Sequence, residues 1–483
     1  GMDRSWLPRT AFVDPPAGNA AAVRSVATDV LDQLVDQLAA ADDRPPLPST
    51  ATPPRVTIPE DPRDVRSLQD SLERIVDGSM NPAHPGYIGH MDTMPTTVSV
   101  LGDLVAAAVN NNMLSAEMSP IFTELEAELT ALIADAFGLG ADAGGVMTSG
   151  GSLANLQALA VARNRTFDVA DSGLGEIDDR PVAFASAGAH TSLQKAGMLL
   201  GIGSDGIVPV ATDENGRMRP AALAEAVARA RNDGKQPFCV VATAGTTTTG
   251  NVDPIADIAA VARREDLWFH VDAAYGGALA FTEDARGLLD GIDRAESVTF
   301  NPQKWCYVAK TCAMVLFADR DVLETAFRIG APYMRAGESQ PNLGELSVQG
   351  TRHADVLKLW LTFQHLGRSG LRALVEESYQ LTGAVRDAVE ERHSLELATE
   401  PELNVVCFRV TPDWCDPSEY DALNDALQAS LLEAVDVFVS LPTYRDSKWL
   451  RAVLLNPYTT KAVVDRLFEH VDAFLAERSP ASS

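Results

Sequence analysis

The segment SVTFNPQKW, residues 297–305, joins an apolar run typical of a buried β-strand to a Pro-containing turn and a lysine. An amine at the end of a buried strand is partly removed from water, which favours its neutral and nucleophilic form. Lys304 is therefore a candidate nucleophile that can form a Schiff base. Taken alone, the segment favours an ordinary solvated lysine, because most lysines are exposed. The argument for Lys304 must come from the rest of the chain.

A second segment, LWFHVDAAYGG at residues 267–277, ends an apolar run with an aspartate followed by small residues. Open parallel sheets bind ligands at the carboxyl ends of their strands, where the carboxylate of Asp272 can pair with a cationic ring nitrogen. A helix N-cap is the alternative role for this aspartate. A cap alone does not explain the small residues that follow, which leave space for a flat group.

The sequences HVDAAYGG and NPQKW resemble the pyridoxal-phosphate-dependent group II amino-acid decarboxylases, the family of the aromatic-amino-acid and glutamate decarboxylases. The resemblance extends from about residue 82 to about residue 460. It implies the α/β fold of PLP-dependent transferases, which is aspartate aminotransferase-like (fold type I) and has a mostly parallel-order central sheet. It also implies pyridoxal 5′-phosphate (PLP) as cofactor and the decarboxylation of an L-amino acid to the corresponding amine and CO2.

Length and pattern predict the domain organisation. The chain has 483 residues, of which 46% are hydrophobic, so it exceeds one ordinary domain. We predict an N-terminal helical arm and Pro-rich linker at 1–80, a large PLP-binding domain at 81–365 and a smaller C-terminal α/β domain at 366–483. Apolar runs such as 181–186 and 236–244 alternate with helical segments, which predicts a mostly parallel sheet built from right-handed crossovers.

Charge and cysteine content exclude several classes of function. A formal net charge of −28 disfavours nucleic acids and anionic membranes as partners. No apolar run approaches the ~20 residues of a membrane span, and there is no signal-type amino terminus, so we expect a cytoplasmic protein. The cysteines are scattered and form neither a CxxC pair nor a His/Cys cluster, which predicts reduced thiols and no metal site.

The segment GVMTSGGSLAN, residues 145–155, runs from a short strand through glycines into a helix. Free backbone amides at a helix start bind phosphate, Gly150 and Gly151 would let the anion approach the main chain, and Ser152 adds a hydroxyl. Many helices start in this way, so the prediction gains its weight from the resemblance to the family's phosphate loop.

The resemblance implies further cofactor contacts. His190 would stack on the cofactor ring, although a satisfied histidine at a helix end is the alternative. Thr247 would orient a phenolic oxygen or a carboxylate, and Asp272 would keep the pyridine nitrogen protonated. Ala274 and Asn301 complete the predicted cofactor-binding set.

The sequence gives fewer indications of the residues that contact the substrate. The Pro- and Gly-rich segment 81–95 resembles the family's substrate-side strip, with His90, Met91 and Thr93 as candidates. His90 and Met91 stand where aromatic-specific members carry aromatic residues, and either could instead be packed in the core. Gln303 occupies a position where many relatives have His, and its amide cannot titrate near neutral pH.

The absence of Arg and Lys from residues 84–97 favours an aromatic or another uncharged amino acid as substrate over glutamate. Arg335, Arg352 or a residue of a second subunit could enter the pocket and reverse this preference. An acidic amino acid therefore stays open as an alternative substrate.

Tyr333 follows Lys304 by 29 residues in a polar segment and resembles the family's mobile-loop tyrosine, which protonates the carbanion after CO2 leaves. His190 is the other candidate for catalytic proton transfer. An ordinary loop tyrosine is the alternative for Tyr333.

Other functions stay open as alternatives for the whole chain. The ring chemistry is shared by aldehyde synthases, transaminases and carbon–carbon lyases of the same fold. A catalytically silent binding protein is disfavoured because Lys304 and Asp272 are both present. The amphipathic N-terminal helix and the resemblance predict a homodimer with its active site at the subunit interface.

Overall fold

The computed structural model describes residues 3–332 and 341–480. The chain divides into two compact units. The first unit comprises Gly1–His90, Asp425–Ser440 and Asn456–Ser483, and the second comprises Met91–Asn424 and Leu441–Leu455. The three-part division predicted from the sequence differs in its boundaries from these units and stays a prediction.

The secondary structure of the described residues alternates between helices and strands through most of the chain. The α-helices are α1 (Ala20–Ala39), α2 (Gln69–Asp77), α3 (Thr97–Val109), α4 (Pro120–Ala136), α5 (Gly151–Phe167), α6 (His190–Leu199), α7 (Pro220–Asn232), α8 (Ile255–Arg264), α9 (Val322–Ala326), α10 (Leu343–Leu346), α11 (Val356–Glu390), α12 (Tyr420–Val435) and α13 (Lys461–Arg478). The strands are β1 (Gly144–Thr148), β2 (Pro181–Ser186), β3 (Ile207–Val210), β4 (Gln236–Thr243), β5 (Trp268–Asp272), β6 (Ser297–Phe300), β7 (Ala313–Phe317), β8 (Leu395–Leu397), β9 (Val405–Val410), β10 (Thr443–Tyr444), β11 (Ser447–Lys448) and β12 (Leu450–Val453). Short 3-10 helices lie at Ala41–Asp43, Val65–Leu68, Leu174–Glu176, Ser204–Gly206, Gly276–Phe281, Ala285–Leu289, Ile292–Arg294 and Pro417–Glu419.

The second unit is built on a seven-stranded sheet with the strand order β1-β7-β6-β5-β4-β2-β3. Strand β7 runs antiparallel to both of its neighbours, and the remaining strand pairs are parallel. This confirms the predicted α/β fold with a mostly parallel sheet. The predicted strand at 181–186 matches β2, and the run at 236–244 contains β4.

The apolar runs form strands because both faces of this sheet are covered. All residues of β1, β2, β6 and β7 are buried, as expected for strands between two layers of helices. Helix α5 packs against β4, β6 and β7, while α7 and α8 pack against β4. The pairing of β1 with β7 requires a glycine, since a Cβ on Gly145 would lie 1.9 Å from the carbonyl oxygen of Val315.

A second, three-stranded antiparallel sheet has the order β12-β9-β8 and also lies in the second unit. Helix α11 packs against β8 and β9 and is interrupted at Gly367, whose φ of 64° ends one regular helix and begins another. In the first unit, α1 packs against α2, and Tyr87 forms a β-bridge with Phe438. None of the helices in the described ranges is both long and apolar enough to cross a lipid bilayer.

Candidate active site

The predicted cofactor residues lie at one edge of the large sheet. Parallel strands end at the same edge, and β1, β2, β4, β5 and β6 all run in one direction. The predicted residues follow or end these strands: Gly150, Gly151 and Ser152 after β1, His190 after β2, Thr247 after β4, Asp272 and Ala274 at the end of β5, and Asn301 and Lys304 after β6. The fold thus gathers the predicted cofactor set at the place where open α/β sheets bind ligands.

Lys304 lies in a turn in which its backbone N–H donates to the carbonyl oxygen of Asn301 at 3.1 Å. Burial lowers the pKa of its ammonium, while the negative charges of Asp272 and Asp92 oppose this shift. The lowered pKa makes the neutral amine easier to reach than in a solvated lysine. The side chain therefore has the property that a Schiff-base lysine needs.

Asp272 is half-buried, and both of its carboxylate oxygens accept hydrogen bonds. The backbone N–H of Ala274 donates to Oδ1 at 3.0 Å, and Nδ2 of Asn155 donates to Oδ2 at 3.0 Å. Two fixed donors hold the carboxylate in one orientation. Ala274 therefore contributes through its backbone amide as well as through its small side chain.

His270, two residues before Asp272 in β5, is fully buried. Burial lowers the pKa of His270 to about 4, against the opposing charge of Asp272. Its ring nitrogens lie 2.7 Å from Oγ of Ser297 and 2.9 Å from Oδ1 of Asn155. His270 is therefore a neutral member of the hydrogen-bonded group behind Asp272.

This pKa shift predicts a pH-dependent stability. The unfolded chain binds a proton at His270 below about pH 6.5 and the folded chain only below about pH 4, so the stability present above pH 6.5 is lost as the pH falls. Between about pH 7 and pH 4, the free energy of unfolding of the wild type should fall by about 3 kcal/mol more than that of His270→Phe. Denaturant titrations at several pH values measure this, and a pH-independent difference between the two proteins would contradict the assignment.

The start of α5 matches the predicted phosphate loop. The amides of Gly151, Ser152 and Leu153 open this helix, and the first amides of a helix have no acceptor within it. A Cβ on Gly151 would lie 2.9 Å from Nδ2 of Asn301, so a side chain there would close the approach to the amides. A Cβ on Gly150 would meet no atom within 4 Å, which shows open space beside the loop.

These features test whether the residues fit PLP. Oδ1 of Asn301 is buried and has no hydrogen-bond partner among the described residues, as expected of a group that meets a ligand. The same edge of the sheet offers free helix amides for a phosphate, a held carboxylate for a ring nitrogen and an amine with a lowered pKa for an aldehyde. The donor set therefore fits the cofactor.

Two other predicted cofactor residues have defined local contacts. Nδ1 of His190 lies 3.0 Å from the carbonyl oxygen of Ala187 and donates to it, which leaves Nε2 without a proton in the neutral ring. The side chain of Thr247 is exposed, and its carbonyl oxygen accepts a hydrogen bond from Arg451. The roles predicted for both residues stay predictions.

Gln303 has a structural contact that the sequence did not indicate. Its Oε1 accepts a hydrogen bond from the backbone N–H of Cys312 at 2.8 Å, and its own N–H donates to the carbonyl oxygen of Cys312 at 3.2 Å. These two hydrogen bonds join the ends of the segment 303–312, which contains Lys304 and lies between β6 and β7. Its predicted contact with substrate remains a prediction.

The substrate-side candidates differ in their surroundings. Met91 is buried in the hydrophobic core of the second unit, whereas His90 is an exposed residue of the first unit with its ring 5.5 Å from that of Phe438. Oγ1 of Thr93 is buried and has no hydrogen-bond partner among the described residues. The predicted proton donor Tyr333, like Arg335, lies outside the described residues.

Arg352, one of the cationic residues that could enter the substrate pocket, has a buried partner. Arg352 is buried and donates to both carboxylate oxygens of Glu126, at 2.7 and 2.6 Å. This bidentate pair commits the guanidinium to the interior of the fold. Arg352 therefore has a structural partner in Glu126, and its predicted entry into the substrate pocket is not supported by this geometry.

Three charged residues near Lys304 are not among the predicted site residues. Arg451 is mostly buried in β12, and its positive charge and that of Lys310 both lower the pKa of Lys304. Asp92 forms an ion pair with Lys310 and raises that pKa. For Arg451 the signal in the sequence is an arginine inside the apolar run LRAVLL, residues 450–455. Its approach to Lys304 is tertiary.

One cluster in the described ranges has the composition of a metal site. It consists of Asp103, His353 and Asp355. Nζ of Lys358 lies 3.1 Å from Asp103 and 3.3 Å from Asp355, so a buried ammonium already balances the carboxylates. The cluster is explained as an ion-pair network.

Comparisons with known proteins agree with this geometry. The family model of the pyridoxal-dependent decarboxylase conserved domain matches residues 48–411. The chain is 32% identical over 470 residues to the L-2,4-diaminobutyrate decarboxylase of Rhizobium meliloti (strain 1021), covering 93% of this chain and 90% of the relative. It is 30% identical over 430 residues to the acidic amino acid decarboxylase GADL1 of Mus musculus, covering 85% of this chain and 78% of the relative. The crystal structure of mouse CSAD is 26% identical and superposes with a TM-score of 0.88, covering 95% of this chain and 99% of that chain.

Proposed function

The chain belongs to the pyridoxal-dependent decarboxylase family, and we propose that its substrate is a short amino acid with a charged side chain. As a member of this family with the type I fold of its solved relatives, it is a PLP-dependent carboxy-lyase that decarboxylates an amino acid. We further propose that Lys304 and Asp272 are its central catalytic residues. The single observation that supports this most is the placement of a lysine with a lowered pKa and a doubly held aspartate at one sheet edge.

The chain's own residues divide the work of the reaction. PLP, when bound, supplies the electron sink for the bond that breaks as CO2 leaves. Lys304 would hold the cofactor through Nζ. Asp272 would place a negative charge at the ring nitrogen, and the amides at the start of α5 would hold the phosphate.

Proton transfer completes the reaction. The carbon that loses CO2 must receive a proton, and a phenol near it can keep that proton at neutral pH and deliver it. Tyr333 stays our proposal for this donor on the basis of the sequence. Proton transfer by His190, through a ring whose Nδ1–H is already bound to Ala187, is the second proposal.

Charged residues near Lys304 favour a charged substrate. Asp92 and Lys310 form a partly exposed ion pair, in which a side-chain ammonium of the substrate could replace Lys310 as the partner of Asp92. Relatives at 32% and 30% identity are named as diaminobutyrate and acidic amino acid decarboxylases. We therefore place 2,4-diaminobutyrate first and an acidic amino acid second. An aromatic or uncharged substrate, favoured by the loop at 84–97, becomes the third candidate.

Substrate choice can be tested by CO2 release from a panel of diaminobutyrate, glutamate, aspartate, tyrosine and tryptophan. We expect kcat/KM for diaminobutyrate to exceed that for each of the others by at least about tenfold. Asp92→Asn should raise KM for diaminobutyrate about tenfold because it removes the charge that faces the substrate ammonium. Asp135→Asn, which changes an exposed aspartate of α4, is the matched control and should have no effect. Turnover of aromatic amino acids alone would contradict the proposed substrate, and no CO2 from any amino acid would contradict the reaction.

We also propose that the protein is a homodimer with its active site at the subunit interface. Helix α3 packs against α11 and buries only its small residues Ser99, Gly102 and Ala106. Its opposite face exposes a continuous set of apolar side chains, namely Val100, Leu101, Leu104, Val105 and Val109. An apolar face of this size is typical of a surface that a second copy covers.

Sedimentation can test the role of this face. Leu104 is 62% exposed, and Leu104→Glu should convert a dimer into a monomer at micromolar concentration because a buried unpaired carboxylate is strongly disfavoured. Met198→Glu, which changes a side chain 57% exposed on α6, is the control and should leave the dimer intact. A wild type that sediments as a monomer while fully active would refute the proposal.

A cytoplasmic location agrees with the cysteines. All five are free thiols, and four of them are buried. Burial raises the pKa of the Cys306 and Cys407 thiols to about 12, so these groups are inert at neutral pH. We propose a reducing compartment, and therefore the cytoplasm, on this chemistry.

A further inference from the structure

A chain of buried and partly buried hydrogen bonds runs from β5 and β6 to the carboxylate of Asp272. Nε1 of Trp268 lies 2.8 Å from Oγ of Ser297, which lies 2.7 Å from Nδ1 of His270. Nε2 of His270 lies 2.9 Å from Oδ1 of Asn155. Nδ2 of Asn155 then lies 3.0 Å from Oδ2 of Asp272.

The chemistry of each group gives the chain one direction. The carboxylate of Asp272 can only accept, so Nδ2 of Asn155 donates to it and Oδ1 of Asn155 accepts from Nε2 of His270. Since Nε2 carries the proton of the neutral ring, Nδ1 accepts from the hydroxyl of Ser297. Oγ of Ser297 in turn accepts from the indole N–H of Trp268.

A second donor fixes the same orientation of Asn155. Oγ1 of Thr299 donates to Oδ1 of Asn155 at 2.7 Å. Rotating the amide by half a turn would place its oxygen against the carboxylate of Asp272 and its NH2 group against two donors. His270, Asn155 and Thr299 are buried, so water cannot repair such a mismatch.

We propose that Asn155 and His270 are positioning residues of the decarboxylation reaction, which hold the Asp272 carboxylate in the orientation required by the cofactor ring. His270 acts in its neutral form with the proton on Nε2. The anchor of the chain is the indole of Trp268, at the opposite end of β5 from Asp272. The inference rests on the proposed role of Asp272, which is tested separately by its own substitution.

The isosteric substitution Asn155→Asp distinguishes positioning from packing. It preserves the volume of the side chain but places a carboxylate against Asp272, whereas Asn155→Ala removes the donor and leaves a cavity. If packing alone mattered, Asn155→Asp would be the milder change. The proposed hydrogen-bond role predicts the reverse, because a repelling charge is worse than a missing donor.

The holoenzyme variants should be compared by kcat and by the dissociation constant of PLP. Asn155→Ala is expected to lower kcat and weaken PLP binding by about 10-fold, and Asn155→Asp by about 100-fold or more. Asn164→Asp makes the same chemical change on α5, where Nδ2 of Asn164 donates to the carbonyl oxygen of Ala326, and should leave both quantities unchanged. Values for Asn155→Asp within about twofold of the wild type, or a milder effect than that of Asn155→Ala, would overturn the proposal.

Nitrogen-15 NMR of the histidine-labelled holoenzyme gives a readout that is independent of activity. We expect His270 to show a protonated Nε2 and an unprotonated Nδ1 at neutral pH, with loss of this single form in Ser297→Ala. A proton on Nδ1, or a doubly protonated ring, would overturn the proposed direction of the chain. If Asp272→Asn is inactive while the Asn155 variants behave as wild type, only the positioning role fails. If Asp272→Asn is fully active, the proposed role of Asp272 itself fails.

Discussion

Asp272→Asn is expected to lower kcat for CO2 release by about a thousandfold. The substitution keeps the size of the side chain but removes the negative charge that would face the ring nitrogen of the cofactor. Two unit charges 4 Å apart attract by roughly 4 kcal/mol at an effective dielectric constant of about 20, which corresponds to about three powers of ten in rate. The Ala274 amide and Asn155 donate to different oxygens of Asp272, so the NH2 group of an asparagine would also face one of these two donors.

The measurement is kcat with saturating substrate and PLP, so that weaker binding does not enter the result. Asp272→Glu should retain more activity than Asp272→Asn, since it keeps the charge and changes only the reach of the side chain. A loss of less than about tenfold in Asp272→Asn would show that the carboxylate does not support the electron sink.

Lys304→Ala is expected to abolish turnover, with a loss of at least about four powers of ten in kcat. The change removes the amine that holds the cofactor and delivers it to the substrate. Lys304→Arg should be nearly as inactive, because a guanidinium keeps its proton and cannot act as a nucleophile. Lys195→Ala, which changes an exposed lysine of α6, is the control and should leave kcat unchanged. Retention of more than about a hundredth of the activity in Lys304→Ala would contradict the assignment.

The sequence was informative where a motif ends a buried strand. Parallel strands place their carboxyl ends side by side, so reading Asp272 and Lys304 as strand-ending residues was enough to expect them near each other. The apolar runs of β2 and β4 could be located for the same reason, since a strand covered on both faces is apolar throughout. Fold class therefore follows from local patterns.

The sequence was less informative where a role depends on a tertiary partner. His270 stands inside the apolar run of β5, and nothing local shows that its ring joins Ser297 to Asn155. Gln303 is predicted to lie on the substrate side, and nothing local shows that its Oε1 accepts a hydrogen bond from the backbone of Cys312. Such roles depend on which residues the tertiary structure brings into contact.

Charged residues were the most difficult to place. Arg352 has the residue type of a substrate clamp, but its bidentate pair with Glu126 comes from a helix more than two hundred residues earlier. Arg451 lies 147 residues after Lys304 along the chain and still influences its pKa. The preference for uncharged substrates drawn from one loop names Arg352 as a possible exception but does not include Arg451.

Borohydride reduction of the purified holoenzyme, followed by digestion and mass spectrometry, tests the central claim most directly. Reduction turns a Schiff base between the cofactor and a lysine into a stable bond, so the modified peptide identifies the lysine. The account predicts that the mass of the reduced cofactor is found on the peptide containing Lys304 and on no other lysine. A cofactor fixed to a different lysine, or a protein in which no lysine is modified, would contradict it.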